Sequence, residues 1–392
     1  MKTASMKHTL VLTASIAFLL TKVHAAPITP GNLVVERVGD GTTALSSTST
    51  NVSVLEFTTG GTPQQTLNLT STLTSFSESG SATSAGGLNV STGGSLITVP
   101  GYDANSGASG VVGSASAREF ASISLSGTIS SQTLSPSTAY QTNNFRSIVS
   151  DGSGNFWGSG TASGAGGTGG VHYITSGGTA TQLSTTVTNT RWIDVFSNQL
   201  WISSASGTFL GISKVGSGLP TASGQTISLS IDMLAGASPY GFFLFDSDSN
   251  GEVDRAWIAD DRTGAGGGIQ RWNFNGSVWS QDYQLRLDVT GSTLTNTGSG
   301  LLGLRGITGS VNGGTVSLFA TSSDGSRLVS FTDTVASGVD PTAFTTLASA
   351  GTNFAFRGVD IIAVPEPSAL GSLIFGVASL AGWRRFRRLA RS

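Results

Sequence analysis

The sequence has no cysteine, three histidines and little charge, with Lys, Arg, Asp and Glu making up 11% of its 392 residues. The absence of cysteine excludes a disulfide framework, thiolate metal sites and cysteine nucleophiles. Low charge beside a 38% hydrophobic fraction excludes a disordered polyelectrolyte. The 54 glycines have no period of three, which excludes a collagen-like rod. No stretch of ten or more residues in the body has convincing helical periodicity. What remains is a chain of short apolar runs separated by Gly, Ser, Thr and Asn turns.

Both ends differ from the body. Lys2 and Lys7 precede an apolar run over 10–20, too short to span a hydrocarbon core of about 30 Å as a helix. Val23-His24-Ala25 is a small-x-small cleavage pattern, so residues 1–25 read as a secretory signal peptide cut after Ala25. At the other end, Val364-Pro365-Glu366-Pro367 precedes an apolar run over 368–383 and the cluster Arg384, Arg385, Arg387 and Arg388. The run would extend about 24 Å as a helix, enough for a stop-transfer segment, with the arginines held cytoplasmic. This arrangement over 364–392 resembles the PEP-CTERM sorting signal of Gram-negative bacteria. The resemblance implies export and recognition by an exosortase, with membrane insertion through 368–383 and then processing near Pro365 and Pro367. It also implies residence at the cell surface or in the extracellular matrix, in association with exopolysaccharide.

The body, 26–363, carries 12 basic and 21 acidic residues, a balance of −9. Phosphate backbones repel such a surface, so nucleic acid is not an expected partner.

Short strands at 8–12-residue spacing predict an all-β fold, and a longer repeat selects the architecture. Arg-x-Ile/Val recurs at Arg146, Arg191, Arg305 and Arg357, with spacings of 45, 114 and 52 residues. Residues 240–245 fill the double gap and 86–90 form a weaker copy. Each copy is read as the innermost strand of a blade, followed by three more strands. The N-terminal runs 33–38, 52–57 and 65–69 lack a first strand, and 356–362 lacks the other three. One blade shared by the two ends closes a β-propeller of six four-stranded antiparallel blades and removes open sheet edges, with seven blades the alternative because the period from Gly86 to Arg146 is long. Trp257-Ile258-Ala259-Asp260-Asp261, Gly268-Ile269-Gln270-Arg271-Trp272 and Phe356-Arg357-Gly358-Val359 are also similar to predicted propellers of bacterial PEP-CTERM secretomes. That resemblance implies the fold and no activity.

Candidate chemistry is sparse. After signal removal the only histidine is His172 and the only lysine Lys214. His172 lies in a third strand and reads as structural. Asp260 and Asp261 are adjacent, so in a strand they point to opposite faces and make a poor catalytic pair. Asp194 and Asp360 follow the Arg-x-Ile/Val elements of their blades and are candidates to face the central channel. Asp246, Asp248, Asn250, Glu252 and Asp254, with Gly251 at the sixth position, follow the first part of an EF-hand calcium loop. Trp257 occupies the twelfth position, where that loop has Glu, so the segment reads either as a structural Ca²⁺ loop or as an Asx-rich turn. No other cofactor is expected. The glycine-rich 158–170 and 264–268 read as inter-strand loops. The tryptophans read chiefly as blade packing, with exposed ones able to stack on sugar rings.

The functional reading is a non-catalytic binding or structural propeller. The alternative is an extracellular hydrolase or lyase acting on polysaccharide through channel-facing carboxylates.

Overall fold

The structure is a computed structural model and describes residues 25–298, 300–336 and 338–363. Six antiparallel sheets form a β-propeller. Blade 1 runs from the channel outward as Phe354–Ile361, Leu33–Gly39, Val52–Phe57 and Pro63–Asn68, so both ends of the body share it. Blade 3 comprises Phe145–Ser150, Asn155–Gly160, Gly170–Thr175 and Ala180–Gln182; blade 4 comprises Ile193–Phe196, Gln199–Ser204, Gly211–Val215 and Ile227–Asp232. Blade 5 (Pro239–Phe245, Arg255–Asp260, Gly268–Phe274, Trp279–Asp288) adds two short outer strands, Thr293–Thr295 and Leu301–Leu302. Blade 6 is Leu304–Asn312, Thr315–Ser322, Arg327–Thr334 and Thr345–Ser349.

Blade 2 departs from the expected pattern. Its inner strand is split between Phe76–Ser79 and Asn89–Val90, which pair with opposite ends of Leu96–Asp103. Arg118–Ser124 and Ile129–Thr133 complete the blade, and Ser49–Thr50 pairs with the first half of the split strand. At Gly86 a positive φ breaks the strand, and Gly87 bridges in parallel to Ser147 of blade 3 instead.

Both faces of each blade are buried, so alternate side chains of one strand enter different cores. Val34 packs with Phe76, Leu88 and Ile97 of blade 2. Its neighbours Leu33 and Val35 pack with Phe319 and Leu328 of blade 6. Likewise Ala256 and Ile258 face blade 4, whereas Trp257 and Ala259 face blade 6. The period-2 alternation thus builds one apolar core at each blade–blade contact.

Gly158 and Gly160, expected in a loop, belong to the second strand of blade 3. A Cβ on Gly158 would lie 2.8 Å from the Phe145 ring and 3.0 Å from the Tyr140 hydroxyl. Glycine here admits packed aromatic rings. Among the described residues no helix is long and apolar enough to cross a membrane. The predicted segment 368–383, with Val364, Pro365, Glu366, Pro367 and the arginine cluster, lies outside the described residues, as does most of 1–25.

Candidate functional site

Each inner strand overlaps a four-residue signature: Arg357-Gly358-Val359-Asp360, Gly86-Gly87-Leu88-Asn89, Arg146-Ser147-Ile148-Val149, Arg191-Trp192-Ile193-Asp194, Tyr240-Gly241-Phe242-Phe243 and Arg305-Gly306-Ile307-Thr308. The third residue of each is buried between blades. The second lies where neighbouring inner strands meet. A Cβ on Gly358 would sit 2.4 Å from the Leu88 nitrogen, and one on Gly306 3.0 Å from the Arg357 carbonyl oxygen. Only small residues fit there, with one exception. The Trp192 indole reaches past blade 3 and donates from Nε1 to Asn89 Oδ1 of blade 2 at 2.9 Å. The Asn89 amide donates in turn to Ser147 Oγ and to the carbonyls of Ile148 and Ile193. These bonds tie the inner strands of blades 2, 3 and 4 to one another.

The fourth positions bring Asp194 and Asp360 together. They line a cavity of about 180 Å³ with Thr308, Phe196, Phe242 and the 90–93 loop. Asp360 accepts from the Val90 nitrogen at 2.7 Å, from Thr308 Oγ1 at 2.7 Å and from the Ile361 nitrogen at 2.7 Å. Asp194 accepts from the Val195 nitrogen. Burial pushes the Asp194 carboxyl well above the usual range, and the charge of Asp360 pushes it further. Burial raises Asp360 to about 6, against the lowering effect of its three donors. Among the described residues no arginine or tyrosine lines this cavity. The arrangement can hold and exchange a proton between two carboxyls, or receive a cationic or hydroxyl-rich group.

A second concavity lies between blades 4 and 5. Trp201, Phe274 and Trp279 line it with Lys214, Asp232 and Glu252, around about 400 Å³. Lys214 sits over the Trp201 ring at 5.1 Å, and Phe274 and Trp279 have centroids 5.4 Å apart. The aromatic surface comes from strand alternation: Trp201 and Lys214 are cross-strand partners, and Phe274 faces Trp279 across the hairpin.

No family model and no curated protein matches the sequence. Among solved structures, a Bacteroides uniformis protein assigned as a 6-phosphogluconolactonase is 13% identical with a TM-score of 0.44, over 83% of this chain and 99% of that one. Trypanosoma rangeli sialidase is 9% identical with a TM-score of 0.41, over 83% of this chain and 55% of that one. The parainfluenza virus 5 hemagglutinin-neuraminidase ectodomain is 8% identical with a TM-score of 0.33, over 83% of each chain.

The other sequence candidates stand apart from both cavities or only touch them. The 246–254 segment connects the first two strands of blade 5, as expected. Its carboxylates bind its own backbone: Asp246 accepts from the Asn250 and Gly251 nitrogens, Asp248 from Asn250, and Asp254 from Ser247. Among the described residues no three His, Asp or Glu side chains gather as a metal-ligand set. Glu252 turns instead to the blade 4–5 groove.

His172 is buried in its strand, shares Nε2 with Thr168 Oγ1 at 3.1 Å and stands edge-on to Tyr140. Burial lowers its pKa to about 4, so it is neutral. Asp260 and Asp261 do diverge: Asp260 pairs with Arg262, Asp261 with Arg305 of the next blade. Five tryptophans (157, 192, 201, 257 and 272) are at most 5% exposed, and only Trp279 of the strand tryptophans retains a partly open face. Ala25 packs against the blade 1–2 core.

Proposed function

We propose that this is an exported, surface-sorted, non-catalytic propeller that binds exopolysaccharide through the groove between blades 4 and 5. The observation that carries the binding role is the groove itself. Its Trp279 and Phe274 rings offer apolar faces to sugar C–H surfaces, while Asp232, Glu252 and Ser230 offer hydroxyl partners beside them. Its volume of about 400 Å³ lies in the range of small-ligand sites. The sorting role rests on the sequence of the two ends. Exosortase is then the processing partner, and the final address is the cell surface or extracellular matrix.

The test is calorimetric titration of the full-length chain with neutral oligosaccharides. Trp279→Ala should abolish binding with little change in melting, because that side chain is only partly packed. Unchanged binding in the variant would remove the groove from the reading. Intact mass from a native host should lack both 1–25 and the residues beyond Pro365–Pro367, and a mature form ending at Ser392 would refute sorting.

A second reading, a polysaccharide hydrolase or lyase, is favoured by one observation: Asp194 and Asp360 converge at a channel mouth and are held toward protonation. Its test is the release of new sugar ends by wild type but not by the Asp194→Asn, Asp360→Asn double variant.

A further inference from the structure

The first residues of the inner-strand signatures form a ring at the end of the channel opposite the aspartates. In order around the propeller they are Gly86, Arg146, Arg191, Tyr240, Arg305 and Arg357. The ladder shifts register at this point in blades 1, 3, 5 and 6, and such bulges re-aim a side chain.

Part of the ring is structural. Arg146 donates to the Thr190 carbonyl, Arg191 to the Pro239 carbonyl and Arg357 to the Gly80 carbonyl, each in the next blade. These contacts do not neutralise the charges. Among the described residues the only ion pair in the ring is Arg305 with Asp261, at 2.9 Å. The buried Glu36 and Glu78 lie beside Arg357 without pairing with it, and burial holds both carboxyls above their usual range.

Like charges are adjacent instead. Arg191 is among the groups that depress Arg146, and Arg305 among those that depress Arg357, in each case after burial. The Nε atoms of Arg146, Arg305 and Arg357 are buried without a partner. The Tyr240 ring lies between two guanidiniums, Arg191 at 4.3 Å and Arg305 at 5.2 Å, and no described residue hydrogen-bonds its hydroxyl. Arg146 and Arg191 keep partial solvent exposure beside the buried Tyr240.

Unpaired, partly desolvated arginines held close together are costly unless an anion joins them. We propose that the sector formed by Arg146, Arg191 and Tyr240 binds a carboxylate group of a small ligand. Two guanidinium forks match the planar, two-oxygen edge of a carboxylate, and the phenol adds a third donor.

The site is independent of the blade 4–5 groove, and the test keeps them separate. The full-length chain is titrated calorimetrically with sodium glucuronate and with glucose at constant ionic strength, as wild type and as Trp279→Ala, which silences the groove. Glucuronate should bind with one-site saturation in both proteins, and glucose should not bind to Trp279→Ala. Arg191→Lys keeps the charge but loses the fork, and should weaken glucuronate roughly tenfold or more. Tyr240→Phe keeps the ring between the guanidiniums and should weaken it severalfold. Any of three results overturns the proposal: no glucuronate binding, equal affinity in both ring variants and wild type, or loss of binding in Trp279→Ala. Sulfate binding more tightly than glucuronate would overturn the carboxylate assignment.

Discussion

The two ends of the channel are built from the same short repeat and have opposite chemistry. At one end the first residue of the signature supplies four arginines and a tyrosine; at the other the fourth residue supplies two aspartates and a threonine. Three residues along an inner strand, about 10 Å at the usual rise, suffice to invert the charge. The arginines are fixed by carbonyls of neighbouring blades. Asp360 is fixed by donors from three directions, whereas Asp194 has only the nitrogen of its neighbour Val195. A ring of repeats can therefore carry polarity along its axis without any change of fold. The uneven fixing of the aspartates marks Asp194 as the more adaptable of the two.

The sharpest way to break the comparison is to remove the contact that ties blades 2 and 4 together between the ends. Trp192→Ala deletes a buried indole and leaves Asn89 Oδ1 without its donor. It should cost about 3–5 kcal/mol, read as a lower urea midpoint. A change below about 1 kcal/mol would mean that the indole is not an integral part of the ring. Gly358→Val probes the narrow layer beside it. The added side chain would collide with the Leu88 nitrogen and Gly86 carbonyl, and the expected cost is about 1–3 kcal/mol in the same assay.

The aspartate end can be sharpened by pH. Asp194 and Asp360 hold their protons more tightly folded than unfolded. Their contribution to stability is therefore full below the unfolded carboxyl pKa, about 4, and for Asp360 is lost as the pH rises through about 6. Asp194→Asn, which cannot ionise, should raise the melting temperature at pH 8 by a few degrees and leave it nearly unchanged at pH 4. Equal shifts at both values would assign the effect to packing.

The smallest effect concerns calcium at the 246–254 loop, which lies on the same face as the aspartates. Millimolar calcium should raise the melting temperature slightly through binding to the folded chain, and Asp246→Ala with Asp248→Ala should remove the response. Identical melting of the chelated wild type with and without calcium would leave the loop as a turn held by its own carboxylate–backbone bonds.

The ring was legible in the sequence because every blade repeats the same local problem. A small residue is needed where inner strands meet, an apolar one follows it, and Gly/Ser turns separate strands whose faces are both buried. Closure was legible too, since Leu33–Gly39 has an inner partner only in Phe354–Ile361. The split inner strand of blade 2 was not, because Gly86-Gly87-Leu88 continues the motif while Phe76–Ser79 takes half its pairing. The convergence of Asp194 and Asp360 depends on blade angles that no local pattern encodes. The arginines were read as markers of strands. Their crowding, and the bulges that turn them, appear only once four blades are in place. The blade 4–5 groove was equally hidden, since Trp201, Phe274 and Trp279 come from two blades and resemble any other packed aromatics along the chain.

Ala363 lies on the wall of the aspartate cavity, two residues beyond the innermost strand of blade 1. A pull applied there would act near the axis of the disk rather than at its rim. The load falls along Phe354–Ile361 and is shared by its rungs with Leu33–Gly39, from Leu33 opposite Ile361 to Gly39 opposite Phe354. Those rungs are strained together in shear, not opened one after another. The seam that closes the ring would thus be the first to bear tension applied at Ala363.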